Sequence, residues 1–265
     1  MLASGGMKKP VNVSGQAPVL LLLALASCAD PSDGATPPSG SSVFSPGVTE
    51  VVLEVDYESG AAPVLLREWQ LLHQNLEAVF AASPKKLVVP HGLAEMDAFP
   101  SDGEDAYTVE EILVISESHR STSATATRRV YHAVFLDGYY EQDGEVLEDV
   151  LGVSIGDTGV IAMFKPVIGS TGIVAGFVEQ STLVHEMGHA VGLVDRGVPI
   201  TSDHHDDEHP HHCANRSCVM FWANEGAADM VEFLRSRNVD DDTALFGGDC
   251  LNDIASHAAS YGASP

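Results

Sequence analysis

The sequence predicts a mixed α/β domain, and three observations carry that prediction. Short runs of apolar residues, alternating or continuous, are bounded by turn residues as strands are. Longer runs repeat apolar residues at spacings of three and four, as amphipathic helices do. Both kinds interleave along one stretch from about Val48 to the C-terminus, enough for a single sizeable core, with no internal repeat and no second hydrophobic span.

The elements follow in order. Val48-Thr49-Glu50-Val51-Val52-Leu53-Glu54-Val55 alternates as a half-buried strand. Leu65, Leu66, Trp69, Leu72, Leu76, Val79 and Phe80 form one helical stripe, which predicts a core-packed helix over 64–82. Lys86-Leu87-Val88-Val89 reads as a short strand. Thr108 and Glu111 make a capping box for a helix through about Ser118, although Ile112-Leu113-Val114-Ile115 fits a strand equally well. Arg129-Val130-Tyr131-His132-Ala133-Val134-Phe135-Leu136 is a strand stopped by Asp137-Gly138. Leu151-Gly152-Val153-Ser154-Ile155 and Val160-Ile161-Ala162-Met163-Phe164 flank the turn residues Gly156-Asp157-Thr158-Gly159. Helices are expected over 179–194, 226–237 and 251–260.

Ahead of this domain, Lys8 and Lys9 precede a short apolar run from Ala17 to Ala26, the pattern of a signal peptide over residues 1–27. Leu25-Ala26-Ser27-Cys28 resembles a bacterial lipobox, which implies cleavage before Cys28 and a lipid thioether on it. The protein is then expected in the bacterial cell envelope, on the periplasmic side or at the cell surface. Residues 28–47 are Pro-, Gly- and Ser-rich and read as a flexible tether. The formal net charge is −25, and removing residues 1–27 leaves 11 basic against 38 acidic side chains, net −27. So negative a surface repels nucleic acid and anionic lipid, which leaves the acyl chain to hold the protein at a membrane.

The chemistry concentrates in His185-Glu186-Met187-Gly188-His189, followed by Gly192 and Asp195. Residues four apart share a helix face, so His185 and His189 can present imidazole nitrogens to one ion. Glu186 then stands beside that ion, placed to take a proton from a zinc-activated water. Gly192 lets the chain leave the helix sharply, because glycine takes positive φ without penalty. The surrounding residues Leu183, Val184, Met187, Ala190, Val191, Leu193 and Val194 are apolar, so the helix is buried, and buried imidazoles and a carboxylate need partners. One catalytic Zn2+ satisfies them.

Downstream lies His212-Cys213-Ala214-Asn215-Arg216-Ser217-Cys218-Val219-Met220. With the helix motif it resembles the metzincin clan of zinc peptidases, and its H-C-x-x-x-x-C-x-M spacing is similar to that of archaemetzincins; matrixins space third histidine and turn methionine in the same way. The resemblance spans roughly residues 150–222. It implies a twisted mixed sheet with an active-site helix, and a methionine turn in which Met220 packs beneath the metal without binding it. It also implies that Leu151-Gly152-Val153-Ser154 is an edge strand on which an extended peptide or protein substrate pairs its backbone.

Two positions compete for the third ligand. The helix motif points to Asp195, three residues after Gly192, whereas the distance to Met220 favours His212 and makes residues 196–211 an insertion. Asp195 then becomes a helix-end carboxylate or one that orients a ligand imidazole. Archaemetzincins hold a second zinc on four cysteines; no C-x-x-C follows here, so that site is not expected. The dense Asp203-His204-His205-Asp206-Asp207-Glu208-His209-Pro210-His211-His212 run either binds a second cation or is a solvated acidic loop. Trp222 stands where some metzincins carry a tyrosine, so that residue's role does not transfer. Once Cys28 is lipidated, Cys213, Cys218 and Cys250 remain, and any one disulfide leaves one thiol over.

The expected activity is zinc-dependent endoproteolysis with Glu186 as general base. With no propeptide evident between tether and domain, restraint would come from the insertion or from localisation. One rival is a non-catalytic lipoprotein that captures metal through its His-rich run; another takes Glu225 as third ligand in the manner of gluzincins, which leaves Gly192 and Met220 without a role.

Overall fold

Strand β1 (Glu50–Glu58) forms the spine of a six-stranded sheet in a computed structural model that describes residues 42–262. The expected signal peptide, Cys28 and residues 28–41 of the tether lie outside the described residues, whereas residues 42–47 are no free tether: Val43 and Phe44 are buried in the core, Phe44 against Phe80. After β1 come helix α1 (Gln70–Phe80), strands β2 (Lys86–Val88), β3 (Asp97–Phe99) and β4 (Ala106–Tyr107), and helix α2 (Val109–His119). Strands β5 (Arg128–Leu136), β6 (Tyr139–Gln142), β7 (Glu145–Leu147), β8 (Gly152–Ile155) and β9 (Val160–Phe164) lead into helices α3 (Lys165–Ser170), α4 (Ala175–Ala190), α5 (Ala227–Arg237) and α6 (Gly248–Ser260).

The fold is mixed α/β. The main sheet runs β2-β1-β5-β9-β8, with β3 beside the far end of β1. Its pairings are parallel except β8, which runs antiparallel to β9 and ends that order. A small second sheet has the order β4-β6-β7. Central β5 and β9 are buried along most of their length, which is why both read as continuous apolar runs. Helix α4 packs across β8 and β9 and is flanked by α1, α3 and α5.

Local chemistry decides where the elements differ from their sequence-based bounds. The stripe over 64–82 is helical only from Gln70; ahead of it Leu66–Trp69 is a short 3-10 turn with left-handed φ at Arg67, Glu68 and Trp69. Glu179 holds this turn in place. Fully buried, it accepts the Val64 N–H at 2.8 Å and the Trp69 indole N–H at 3.1 Å, and pairs with Lys165. Pinned there, Trp69 stacks on Phe135 with ring centroids 5.9 Å apart.

The ambiguous 112–115 run is helical, because Thr108 and Glu111 close the capping box and satisfy two orphan N–H groups. A buried polar chain ties α2 to the sheet: Ser116 Oγ lies 2.8 Å from His132 Nδ1, and His132 Nε2 lies 2.9 Å from Asp56. β1 begins two residues later than its alternation suggests and continues to Glu58.

Candidate metal centre

Helix α4 carries His185, Glu186 and His189, all at most 2% exposed. It ends at Ala190, earlier than its apolar run, and Gly192 follows with φ +96°. There the chain turns back so closely that a Cβ on Gly192 would lie 3.0 Å from the Arg196 carbonyl oxygen. Val194 and Asp195 continue the turn in left-handed conformation.

The turn does not bring Asp195 to the histidines. Asp195 is exposed and lies outside the donor cluster, whereas His212, 3% exposed, stands among them. Its ring centroid is 5.5 Å from that of His185 and 4.9 Å from that of His189. Glu225 joins the group, so that His185, His189, His212 and Glu225 each offer a ligand atom within 4.8 Å of the others.

The hydrogen bonds behind these rings test whether a cation fits. His185 Nδ1 lies 2.7 Å from the Val219 carbonyl and His212 Nδ1 lies 3.0 Å from the Pro210 carbonyl. A carbonyl accepts only, so each of these imidazoles carries its proton on Nδ1 and turns a bare Nε2 inward. Yet His185 Nε2 faces His189 Nε2 at 3.0 Å, and His212 Nε2 faces a Glu225 carboxylate oxygen at 3.0 Å. Ring nitrogens that meet one another and a carboxylate at these distances in a buried site are held together by a shared proton or by a cation between them. Tetrahedral zinc with 2.0–2.1 Å Zn–N bonds separates its donors by roughly 3.3 Å, close to these distances. The residues fit zinc.

Burial and the neighbouring His212 hold the His185 imidazole down to about 4, and burial with His185 and His212 depresses His189 well below the usual range. Both therefore stay in the neutral, metal-binding form. Burial, reinforced by Glu225, pushes the Glu186 carboxyl well above the usual carboxylate range, and the Ser154 N–H of β8 donates to it.

Met220 closes the site from below. It is fully buried in a turn where the Phe221 N–H donates to the Cys218 carbonyl at 3.0 Å. The preceding Val219 carbonyl is the one that orients His185. Asn224 steadies the turn from its side chain, donating to the carbonyls of Cys218 and Val219 at 3.1 and 2.9 Å.

A second cluster lies one residue along. Cys213, Cys218 and Cys250 are free and buried, with Cys218 Sγ 3.6 Å from Cys250 Sγ. That distance far exceeds a 2.05 Å disulfide but suits two sulfurs on one zinc, roughly 3.8 Å apart for 2.3 Å Zn–S bonds. His204 groups with Cys213 and Cys250, its Nδ1 3.5 Å from Cys213 Sγ and its Nε2 2.6 Å from Asp253, while Cys218 Sγ stands beside them and accepts the Gly247 N–H at 3.1 Å. Hydrogen bonds from Cys218 and Cys250 hold the Cys213 thiol far below its usual range, while those same contacts push the other two up.

No C-x-x-C follows Met220, so four cysteines are not expected to gather at a second zinc. The structure supplies one sulfur from α6, 32 residues beyond Cys218, and a histidine from the insertion. Of the dense run over 203–212, only His204 and His212 are buried, while His205 stays exposed and His209 stacks on Trp222 with centroids 3.9 Å apart. A third donor group of Glu54, Asp56 and His132 is already engaged, because Glu54 accepts the Ser121 hydroxyl at 2.7 Å and the Thr122 N–H at 2.9 Å.

No protein-family model and no curated protein matches the chain. Among solved structures it is similar to archaemetzincin from Methanopyrus kandleri, with TM-score 0.47 and 14% identity over 80% of this chain and 96% of that one. The chemistry of the site stands on its own geometry.

Proposed function

We propose that the chain is a zinc-dependent metalloendopeptidase whose zinc is held by His185, His189 and His212, with Glu186 as general base. One observation carries it: three buried imidazoles from a helix and a distant loop converge on one place, and the residue after the first is a buried carboxyl. Bound zinc supplies a Lewis acid that activates water and polarises the scissile carbonyl. Glu186 takes the proton from the attacking water and passes it to the departing amine, and the Ser154 N–H orients its carboxyl between those two tasks. Strand β8 ends the sheet order, so its backbone suits pairing with an extended peptide. The second cluster holds a structural cation on His204, Cys213 and Cys250, with Cys218 beside them. Cys28 bears the lipid that keeps the enzyme at the cell envelope.

The test is Glu186→Gln in the full chain. Zinc content by mass spectrometry should be unchanged while hydrolysis of a casein or quenched-peptide substrate falls by about 10²–10⁴-fold. Full turnover in the variant removes Glu186 from the mechanism. Absence of hydrolysis in the zinc-loaded parent protein favours the non-catalytic metal-holding lipoprotein instead.

A further inference from the structure

Catalytic zinc sites keep one coordination position open for water, whereas four protein ligands make a closed site. Here four side chains converge. The Glu225 carboxylate lies 3.0 Å from His212 Nε2 and within 4.8 Å of the other two histidine donors, as a ligand to the same ion would. Its own main chain is fixed: the Leu151 N–H donates to the Glu225 carbonyl at 3.1 Å, and Gly226 bridges to Val150. The backbone is therefore anchored to the segment entering β8.

Solvent access singles out the same residue. The side chains of His185 and His189 lie at the helix core and His212 is 4% exposed, but the Glu225 side chain is 19% exposed. A carboxylate is also the one donor of the four that water solvates strongly once released. Glu225 ends the short 3-10 turn Trp222–Glu225, and the indole that opens this turn stacks on His209 at an interplanar angle of 8°. His209 belongs to the insertion that delivers His212. Insertion, turn and carboxylate are thus mechanically linked.

We propose that Glu225 is a fourth protein ligand that closes the catalytic zinc at rest, and that hydrolysis requires its carboxylate to swing to solvent when the His209–Trp222 stack parts. This rests on the zinc-peptidase reading and adds the restraint that the sequence sought in the insertion. In the simpler role, where Glu225 only orients His212 by accepting a hydrogen bond, the water position is open throughout.

Cobalt separates the two roles. Full-length protein, Glu225→Ala and Trp222→Ala are loaded with one equivalent of Co2+, checked by mass spectrometry, and titrated with acetohydroxamate while visible absorption is recorded. If Glu225 is a ligand, the Ala variant changes the cobalt spectrum and binds acetohydroxamate at least about tenfold more tightly than the parent. Trp222→Ala, which leaves all four donors in place, shifts affinity in the same direction, and peptide turnover rises in parallel. Equal hydroxamate affinity and an unchanged spectrum across all three loaded proteins overturn the proposal while leaving the peptidase reading intact. A parent protein that retains no Co2+ or Zn2+ overturns both.

Discussion

Gly188 and Met220 approach so closely that a Cβ on Gly188 would lie 2.4 Å from the Met220 sulfur. The glycine occupies the helix position between the two ligand histidines, and the thioether fills the space its missing side chain leaves. Helix α4 and the segment that carries Met220 are therefore fitted to each other at Gly188. A bare H-E-x-x-H pattern leaves this position unspecified, yet here any side chain larger than glycine's would require Met220 to shift.

Gly188→Ala should act through that contact. The added methyl gains helix propensity but forces Met220 and the Val219 carbonyl away from α4, and Val219 orients His185. Zinc affinity should fall by about 10–100-fold, as when a ligand's supporting contact is lost, measured by competition with a chelating dye. Unchanged affinity would mean the methionine turn does not position the ligands.

Cys250→Ser should reach the catalytic centre although Cys250 lies on α6. The segment 212–220 carries His212 to one donor group and Cys213 to the other, so loss of a cation from the second group should loosen the first. The expected result is metal content falling from two ions per chain toward one, with peptide turnover reduced. Two ions retained per chain would remove Cys250 from the ligand set.

Glu179→Ala tests the fold beneath the site. It leaves the half-buried Lys165 without its carboxylate partner and strips acceptors from Val64 and Trp69. Breaking such a buried pair costs about 3–5 kcal/mol, to be read from urea unfolding. A loss under about 1 kcal/mol would show the network to be incidental.

The depressed histidines set a pH dependence once metal is chelated. Their imidazoles are neutral in the folded state but protonate near the ordinary value of 6.5 when unfolded, so the unfolded chain binds more protons below that pH. Stability of the metal-free protein should fall as pH drops from about 6.5 toward 4, the value of His185. Substituting His185 and His189 by Asn should flatten that slope in thermal melts.

Much of this was legible in the sequence because periodicity and spacing are local. The capping box, the β5 and β9 runs and the α4 motif all depend on residues within one element. The distance from His212 to Met220 ranked His212 above Asp195, and the fold brings His212 to the helix pair. What escaped depends on residues far apart in the chain. The sequence could not show that Cys250 meets Cys218, that Asp253 would orient His204, or that Glu179 would stop the α1 stripe from being helical at Trp69. Short β3, β4, β6 and β7 carry too few residues for alternation to register. Glu225 drew notice only as a substitute ligand, because nothing local marks it as standing beside a complete histidine set.

The most direct test of the central claim is zinc content of the full chain beside His212→Ala and Asp195→Ala, with the Cys250→Ser background removing the second site. The account predicts one zinc per chain in that background, lost with His212 and kept with Asp195. Zinc kept without His212 and lost without Asp195 would contradict it.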